Sequence, residues 1–175
     1  MKTVNPDLSL LEGAVSPTVL TAMRAAAAQL DRLGVRHWLV GGLAVGAHGF
    51  PRATKDVDFF VGDEAFEHHA GGLVTMKPGV PIQVAGVIVD HLSAQAGEEF
   101  LTVDLPAPGN SLAVAPIEVL IYLKLKSPRL KDRADVVELL KAGADLPRCR
   151  AWLERNAPSM VASLDDAAAT AASEE

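Results

Sequence analysis

Two aspartates separated by one apolar residue carry the clearest chemical signal in this sequence. Asp56 and Asp58 flank Val57 at the start of the apolar run D-V-D-F-F-V. Alternate side chains of an extended strand point to the same face, so the two carboxylates are expected to lie a few ångströms apart. They repel each other unless a cation lies between them, and the apolar neighbours indicate a buried strand. The pair predicts a metal site, although an exposed edge strand gives the same spacing.

A pair of glycines ends the preceding apolar run. Gly41 and Gly42 follow W-L-V and precede residues 43–47, which predict a short helix. Because these glycines have no Cβ atoms, a triphosphate can approach the backbone N–H groups, although a simple tight turn gives the same pattern. The segment has neither the spacing of a Walker A loop nor that of a dinucleotide fingerprint. Arg52 and Thr54 are further candidate phosphate contacts, and Arg52 alternatively pairs with acids.

A third carboxylate follows another apolar segment. Asp90 ends the run V-I-V and is expected beside the strand that carries Asp56 and Asp58. There it is suited to act as a general base toward an acceptor hydroxyl or as a further metal ligand. Asp104 is the competing candidate for this role. The alternative interpretation of Asp90 is a carboxylate that caps the turn after the strand.

Basic side chains are concentrated in one stretch of an acidic chain. The formal net charge is −6, but residues 124–133 contain five Lys and Arg residues and one acid. On this stretch alone we favour a solvated helical corner, although a basic strip also suits polyphosphate or RNA. Lys124 or Arg129 is a candidate for neutralising a leaving pyrophosphate.

Other polar residues near these motifs favour structural roles. Asp132 and Asp135 lie one helical turn apart, and the i, i+4 spacing of Lys131 and Asp135 predicts a local salt bridge. His48 lies in a His-Gly turn, for which a structural role is favoured over a catalytic one. His68 and His69 are expected at the exposed start of a helix.

The elements that must position these side chains follow from the apolar pattern and from Gly and Pro. Ser16 and Pro17 predict a helix start, and Gly34 predicts its end. We expect strands at 36–40, 55–61, 82–84, 86–92 and 100–103, and helices at 17–33, 43–47, 63–70, 116–127, 131–142 and 147–156.

This order of elements predicts the α/β (α+β) class, with a small mixed sheet flanked by helices and a C-terminal helical portion. We expect a core at 1–112, a helical portion at 113–157 packed on it, and a flexible tail or loose helix at 158–175.

Composition limits the class of protein. The 175 residues are 49% hydrophobic, which suits one domain with a short appendage. No apolar run approaches the roughly 20 residues of a membrane helix, so no membrane partner is expected. The single cysteine, Cys149, and an N-terminus unlike a signal peptide predict a cytoplasmic protein. The acidic balance disfavours a non-specific nucleic-acid binder.

Two longer patterns resemble the nucleotidyltransferase superfamily of DNA polymerase beta. The first is V-G-G-L-A-V-x-x-H-G-x-x-R-x-T-x-D-V-D, which begins at Val40. The second is I-E-V-L-I-Y-L-K-L-K-S-x-R-x-K-D-R-A-D-V-V-E-L-L, which begins at Ile117 and is similar to a prokaryotic branch that includes AbiE-type toxins. The resemblance implies a nucleotidyltransferase fold and transfer of a nucleoside monophosphate from an NTP with Mg²⁺. Gly42 stands where many relatives have serine.

The resemblance also implies roles for individual residues. Asp56 and Asp58 would bind the metal ions, Asp90 would be the third carboxylate, and Gly41 with Gly42 would hold the triphosphate. Lys124 would contact phosphate.

The sequence is compatible with more than one acceptor. We expect RNA such as tRNA, or a protein, as the acceptor, in a toxin–antitoxin setting with an antitoxin protein as partner. One alternative is adenylylation of a small hydroxylated antibiotic such as an aminoglycoside. Another is a catalytically idle module that binds a nucleotide or a partner.

Overall fold

The structure is a computed structural model that describes residues 5–109 and 112–174. Its first part contains α1 (Pro17–Arg32), β1 (His37–Val40), α2 (Gly41–Ala47), β2 (Val57–Val61), β3 (Phe66–His68), β4 (Val74–Met76), β5 (Gln83–Val84) and β6 (Val87–Leu92). The second part contains α3 (Ile117–Leu125), α4 (Leu130–Lys141), α5 (Leu146–Asn156) and α6 (Val161–Ser173). Single turns of 3-10 helix occupy Leu8–Leu11, Asp63–Ala65, Ala70–Gly72, Glu99–Leu101 and Pro158–Met160.

The main sheet is mixed, with the strand order β1-β2-β6-β5. β2 pairs with β1 in the antiparallel sense and with β6 in the parallel sense, and β5 pairs antiparallel with β6. β3 and β4 form a separate antiparallel hairpin. The predicted class, a small mixed sheet flanked by helices with a helical portion after it, is confirmed.

Both faces of the central strands are buried, which explains their continuous apolar sequence. Leu39 and Phe59 pack with α1 in one apolar cluster. Val40 and Phe60, the next residue of each strand, pack with the C-terminal helices in a second cluster. Successive side chains of a strand point to opposite faces, so the two clusters lie on the two sides of the sheet.

Capping residues and a glycine define the ends of two helices, and those of α1 are as predicted. Ser16 caps α1 by accepting a hydrogen bond from the backbone N–H of Val19 at 3.4 Å, and Pro17 is its first residue. Gly34 follows the helix with a φ of +72°, a conformation that glycine adopts readily. Asp145 caps α5 through the N–H of Arg148 at 3.0 Å.

Two predicted elements are wrong. Residues 63–70, predicted as a helix, form a 3-10 turn and then β3, because the segment pairs with β4 and Phe66 lies opposite Met76. His68 therefore lies on a strand, and His69 follows it. Residues 100–103, predicted as a strand, include the end of a 3-10 turn instead, and Phe100 packs edge-on against Tyr122 of α3.

The last segment of the described chain is helical. Leu164, Ala167 and Ala171 of α6 are buried, and α6 packs on α4. The division at 112 and 157 stays a prediction. Residues 1–4 and 110–111 of the expected core, and residue 175 of the expected tail, lie outside the described residues.

Candidate functional site

The parallel pairing of β2 and β6 brings the predicted carboxylates together. Asp58 lies directly opposite Asp90, at the spacing of about 5 Å that separates neighbouring strands. Asp56 immediately precedes β2, so it lies outside the strand that was predicted to begin at residue 55. All three residues line one cavity of about 740 Å³, and Asp58 is half-buried while Asp56 and Asp90 are exposed.

The environment of Asp58 disfavours its charged form. Burial raises the pKa of this carboxyl most, and the charge of Asp90 raises it further. Lys124 acts in the opposite direction, and Asp56 adds a smaller increase. The net result is a pKa of about 6 instead of 3.8. A cation placed among these carboxylates would relieve the repulsion.

Gly41 lies against the Asp58 carboxylate. It has a φ of +67°, which a residue with a side chain rarely adopts. A Cβ atom at this position would overlap the Oδ2 atom of Asp58. Gly41 and Gly42 are the first two residues of α2, so the helix begins two residues earlier than predicted. Glycine at 41 is thus required both by the backbone and by the carboxylate.

The absence of a side chain at Gly42 leaves space for Arg52 and Thr54, which the sequence also predicts as phosphate contacts. A Cβ atom there would lie 2.9 Å from Thr54 Oγ1 and 3.3 Å from an Nη atom of Arg52. Thr54 in turn donates a hydrogen bond to the backbone carbonyl of Arg52 at 3.2 Å. Arg52 and Thr54 therefore lie beside the glycine pair in the same cavity.

Lys124 and Arg52 are joined by carboxylates that the sequence motifs did not place in the site. The Lys124 ammonium donates to Asp132 at 2.7 Å and to Asp135 at 2.8 Å. Arg52 binds Asp135 through two parallel hydrogen bonds of 3.0 and 2.8 Å. Asp132 also accepts from Arg129 at 2.7 Å.

The expected local pair of Lys131 and Asp135 is therefore wrong. Asp135 faces Arg52 and Lys124 because both aspartates of α4 are buried, each 2% exposed, and a buried carboxylate requires close cationic partners. The spacing of three residues between Asp132 and Asp135 was the available signal, because it puts both on one helix face. This spacing does not indicate Arg52 or Lys124 as the partners, because both lie outside α4.

Other candidates lie outside the cavity. Asp104 lies exposed in a turn and does not line it. His48 donates a hydrogen bond from Nε2 to the carbonyl oxygen of Ala115 at 2.8 Å, and burial lowers its pKa. A neutral His48 with its proton on Nε2 satisfies that carbonyl, which is a structural role.

The carboxylates of the cavity have the chemistry of a metal site. Three carboxylates around one cavity are oxygen ligands of the kind that Mg²⁺ prefers, and the raised pKa of Asp58 indicates a place where positive charge is favoured. Within residues 5–109 and 112–174, however, no group of three or more His, Cys, Asp or Glu side chains is arranged to hold a metal ion. The chemistry of the donors fits, and their side chains would have to converge on the ion.

Comparison with known proteins finds similarity among solved structures only. No family model matches the chain, and no curated protein is significantly similar to it. A solved structure that matches is that of an antigenic nucleotidyltransferase-like protein from Paracoccidioides brasiliensis. It has 16% sequence identity and a TM-score of 0.45, and the match covers 87% of this chain and 94% of that one.

No helix in the part of the chain that the structure describes is long and apolar enough to cross a bilayer.

Proposed function

We propose that this protein is a Mg²⁺-dependent nucleotidyltransferase, which moves a nucleoside monophosphate from an NTP to an acceptor hydroxyl and releases pyrophosphate. The observation that carries the proposal is the register of β2 and β6, which puts Asp58 opposite Asp90 in a cavity also lined by Gly41 and Gly42. One cavity thus combines carboxylates that suit a cation with a glycine pair that a phosphate can approach.

Each candidate residue has a role that its surroundings support. Asp56, Asp58 and Asp90 would hold Mg²⁺, which when bound screens negative charge and polarises the phosphate under attack. Asp90 is exposed and so is also placed to accept a proton from the acceptor hydroxyl.

Two cations would hold the triphosphate. Arg52 uses two of its five N–H groups on Asp135, which leaves three for phosphate oxygens. Lys124 uses two of its three N–H groups on Asp132 and Asp135, which leaves one. Fixed in this way, both cations meet the substrate without loss of further side-chain freedom.

We propose RNA, such as tRNA, or a protein as the acceptor. Exposed basic residues at the cavity, Arg129 and Lys131 among them, support an anionic acceptor. They disfavour a cationic antibiotic such as an aminoglycoside, which like charges would repel. A toxin–antitoxin setting, an antitoxin partner and a cytoplasmic location stay predictions.

Label transfer tests the proposal. The protein is incubated with Mg²⁺, each α-³²P-labelled NTP and, in separate reactions, total RNA, protein extract or aminoglycosides. We expect label to enter RNA or protein, and Asp58→Ala and Asp56→Ala to abolish transfer while far-UV circular dichroism stays unchanged. Asp104→Ala, an exposed aspartate outside the cavity, is the matched control and should transfer normally.

The alternative functions give different results. Label on an aminoglycoside would replace the proposed acceptor with a small molecule. Transfer that survives in both aspartate variants would refute the assignment of the site. Absence of transfer to every fraction, with nucleotide still bound, would favour the idle binding module.

A further inference from the structure

The cavity that contains the carboxylates also has an apolar portion without a role in the proposed phosphate chemistry. Leu92, Leu120 and Leu123 line it. Leu92 ends β6 two residues after Asp90, so its side chain points to the same face of the sheet about 7 Å further along. It remains 40% exposed. An apolar wall beside a polar site is typical of pockets that bind small organic ligands.

A lysine fixed by a buried carboxylate borders this apolar portion. Lys126 also lines the cavity. It is the C-cap residue of α3, in helical conformation, and follows Leu123 by three residues, so the two side chains are neighbours at the end of the helix. Its ammonium donates to Glu98 at 2.7 Å, and the same carboxylate oxygen accepts from the Tyr122 hydroxyl at 2.6 Å. Glu98 is 7% exposed, and its other oxygen accepts from the N–H of Gln95 at 3.1 Å.

Glu98 is held in its charged form by these partners. Burial alone would raise its pKa, but the hydrogen bonds from Lys126, Tyr122 and Gln95 outweigh burial and lower it. Lys126 is therefore both oriented and electrically neutralised. It keeps two free N–H donors, because an ammonium has three.

The charge balance distinguishes Lys126 from the phosphate-binding cations, because Arg52, Lys124 and Arg129 together carry three positive charges against two on their carboxylate partners. A phosphate site gains its affinity from net positive charge, and the pair of Lys126 and Glu98 has none. An oriented donor with no net charge instead suits a neutral acceptor atom, such as a carbonyl oxygen or ring nitrogen. Apolar walls with such a donor at the edge match a heterocyclic base.

We propose that Lys126, fixed by Glu98 and bordered by Leu92 and Leu123, forms the subsite for the nucleobase of the donor nucleotide. This inference rests on the proposed function, since it assumes that the triphosphate lies at Gly41 and Gly42. Glu98 is a positioning residue in this subsite, whereas Lys126 contacts the base. Leu92 and Leu123 exclude water from its faces.

Calorimetric titration separates base recognition from phosphate binding. The wild-type protein and Lys126→Met are titrated with ATP, GTP, CTP, UTP and inorganic tripolyphosphate, which has no base. Lys126→Met leaves the Glu98 charge unpaired, and this charge repels NTPs and tripolyphosphate alike. We therefore expect the variant to weaken binding of the best-bound NTP about tenfold more than binding of tripolyphosphate, the value of one charge-assisted hydrogen bond. Lys141→Met is the control, because Lys141 also pairs with acids but lies at the end of α4 outside the cavity.

A second variant tests the positioning role. Glu98→Gln keeps hydrogen-bonding atoms near Lys126 and removes the neutralising charge. We expect tripolyphosphate to bind several-fold more tightly and NTPs to lose their advantage over it. A purely structural role of Glu98 would weaken both ligands together. Thermal melts of each variant identify any that fail to fold.

Three outcomes would overturn the inference. Equal weakening of NTPs and tripolyphosphate in Lys126→Met would make Lys126 a phosphate contact. Unchanged binding of both would exclude it from the site. A wild-type protein that binds neither ligand would refute the proposed function itself, and that result differs from the other two.

Discussion

At the scale of single residues, the site depends on three cations that hold two buried carboxylates. Arg52, Lys124 and Arg129 surround Asp132 and Asp135, and the Lys124 ammonium bridges the two carboxylates. Removing one partner of such a group leaves an uncompensated buried charge, which costs more than an intact pair contributes. The arrangement fixes the direction of Arg52 and Lys124 toward the cavity before any ligand arrives.

Asp132 gives a prediction about stability and pH. Burial acts to raise its pKa, but hydrogen bonds from Lys124, Ser127 and Arg129 lower it to about 2 from 3.8. Because the folded pKa is the lower one, the carboxylate stabilises the fold above pH 4, and this contribution falls as the pH drops toward 2. Asp132→Asn should therefore cost about 2 kcal/mol at pH 7 and clearly less at pH 3.

Urea denaturation of both proteins between pH 7 and pH 3 measures this difference. Asp166→Asn, at an exposed position of α6, reports the effect of losing a surface charge and should change stability by less than about 0.5 kcal/mol. A difference for Asp132→Asn that does not depend on pH would contradict the assigned cause.

Sequence predicts those residue roles that depend on local spacing. The aspartates at 56 and 58 and the glycines at 41 and 42 are recognisable because the strand and turn geometry around each pair is local. The bond between Arg52 and Asp135 joins residues 83 positions apart, and the docking of α4 alone brings them together. For the same reason, local spacing alone predicts the wrong partner, Lys131, for Asp135.

At the scale of elements, α2 is fixed by close contacts with the segments around it. Gly41 lies against Asp58, and Gly46 lies against the 3-10 turn Leu8–Leu11 and Pro51. The helix is only seven residues long, so its own hydrogen bonds contribute little and packing determines its position. Glycine has no Cβ atom. With glycine at positions 41 and 46, the backbone of α2 therefore lies closer to Asp58 and Leu11 than any other residue type would allow.

Gly46→Ala tests whether packing outweighs helix propensity. Propensity alone favours alanine in a helix by about 1 kcal/mol. The added Cβ would lie 2.5 Å from a methyl group of the buried Leu11 and 3.3 Å from Cα of Pro51. Overpacking of this kind costs about 1–3 kcal/mol, so we expect net destabilisation of roughly 1 kcal/mol in urea denaturation.

The control for this prediction is a glycine placed where packing is absent. Ala169→Gly changes an exposed position of α6 and should cost about 0.5–1 kcal/mol from propensity alone. A Gly46→Ala protein that is more stable than the wild type would show that α2 can shift to accommodate the methyl group.

At the scale of the whole molecule, one sheet joins two apolar clusters. α1 covers one face and the helices after residue 116 cover the other, so the candidate site lies where β2, β6, α2 and α3 meet. The fold class could be predicted because the periodicity of the apolar residues indicates the order of strands and helices. The error at 63–70 arose because pairing with β4, a non-local contact, decides the conformation of that segment.

A substitution in the C-terminal helix tests whether this helix is part of the core. The sequence predicts a flexible tail or loose helix where the structure has α6. Leu164 is fully buried in the cluster that also contains Phe60 and Leu120. Leu164→Ala should therefore cost about 2–5 kcal/mol and lower the melting temperature by several degrees. Ser163→Ala, an exposed neighbour on α6, should melt like the wild type. A Leu164→Ala protein that also melts like the wild type would show that α6 contributes nothing to the core.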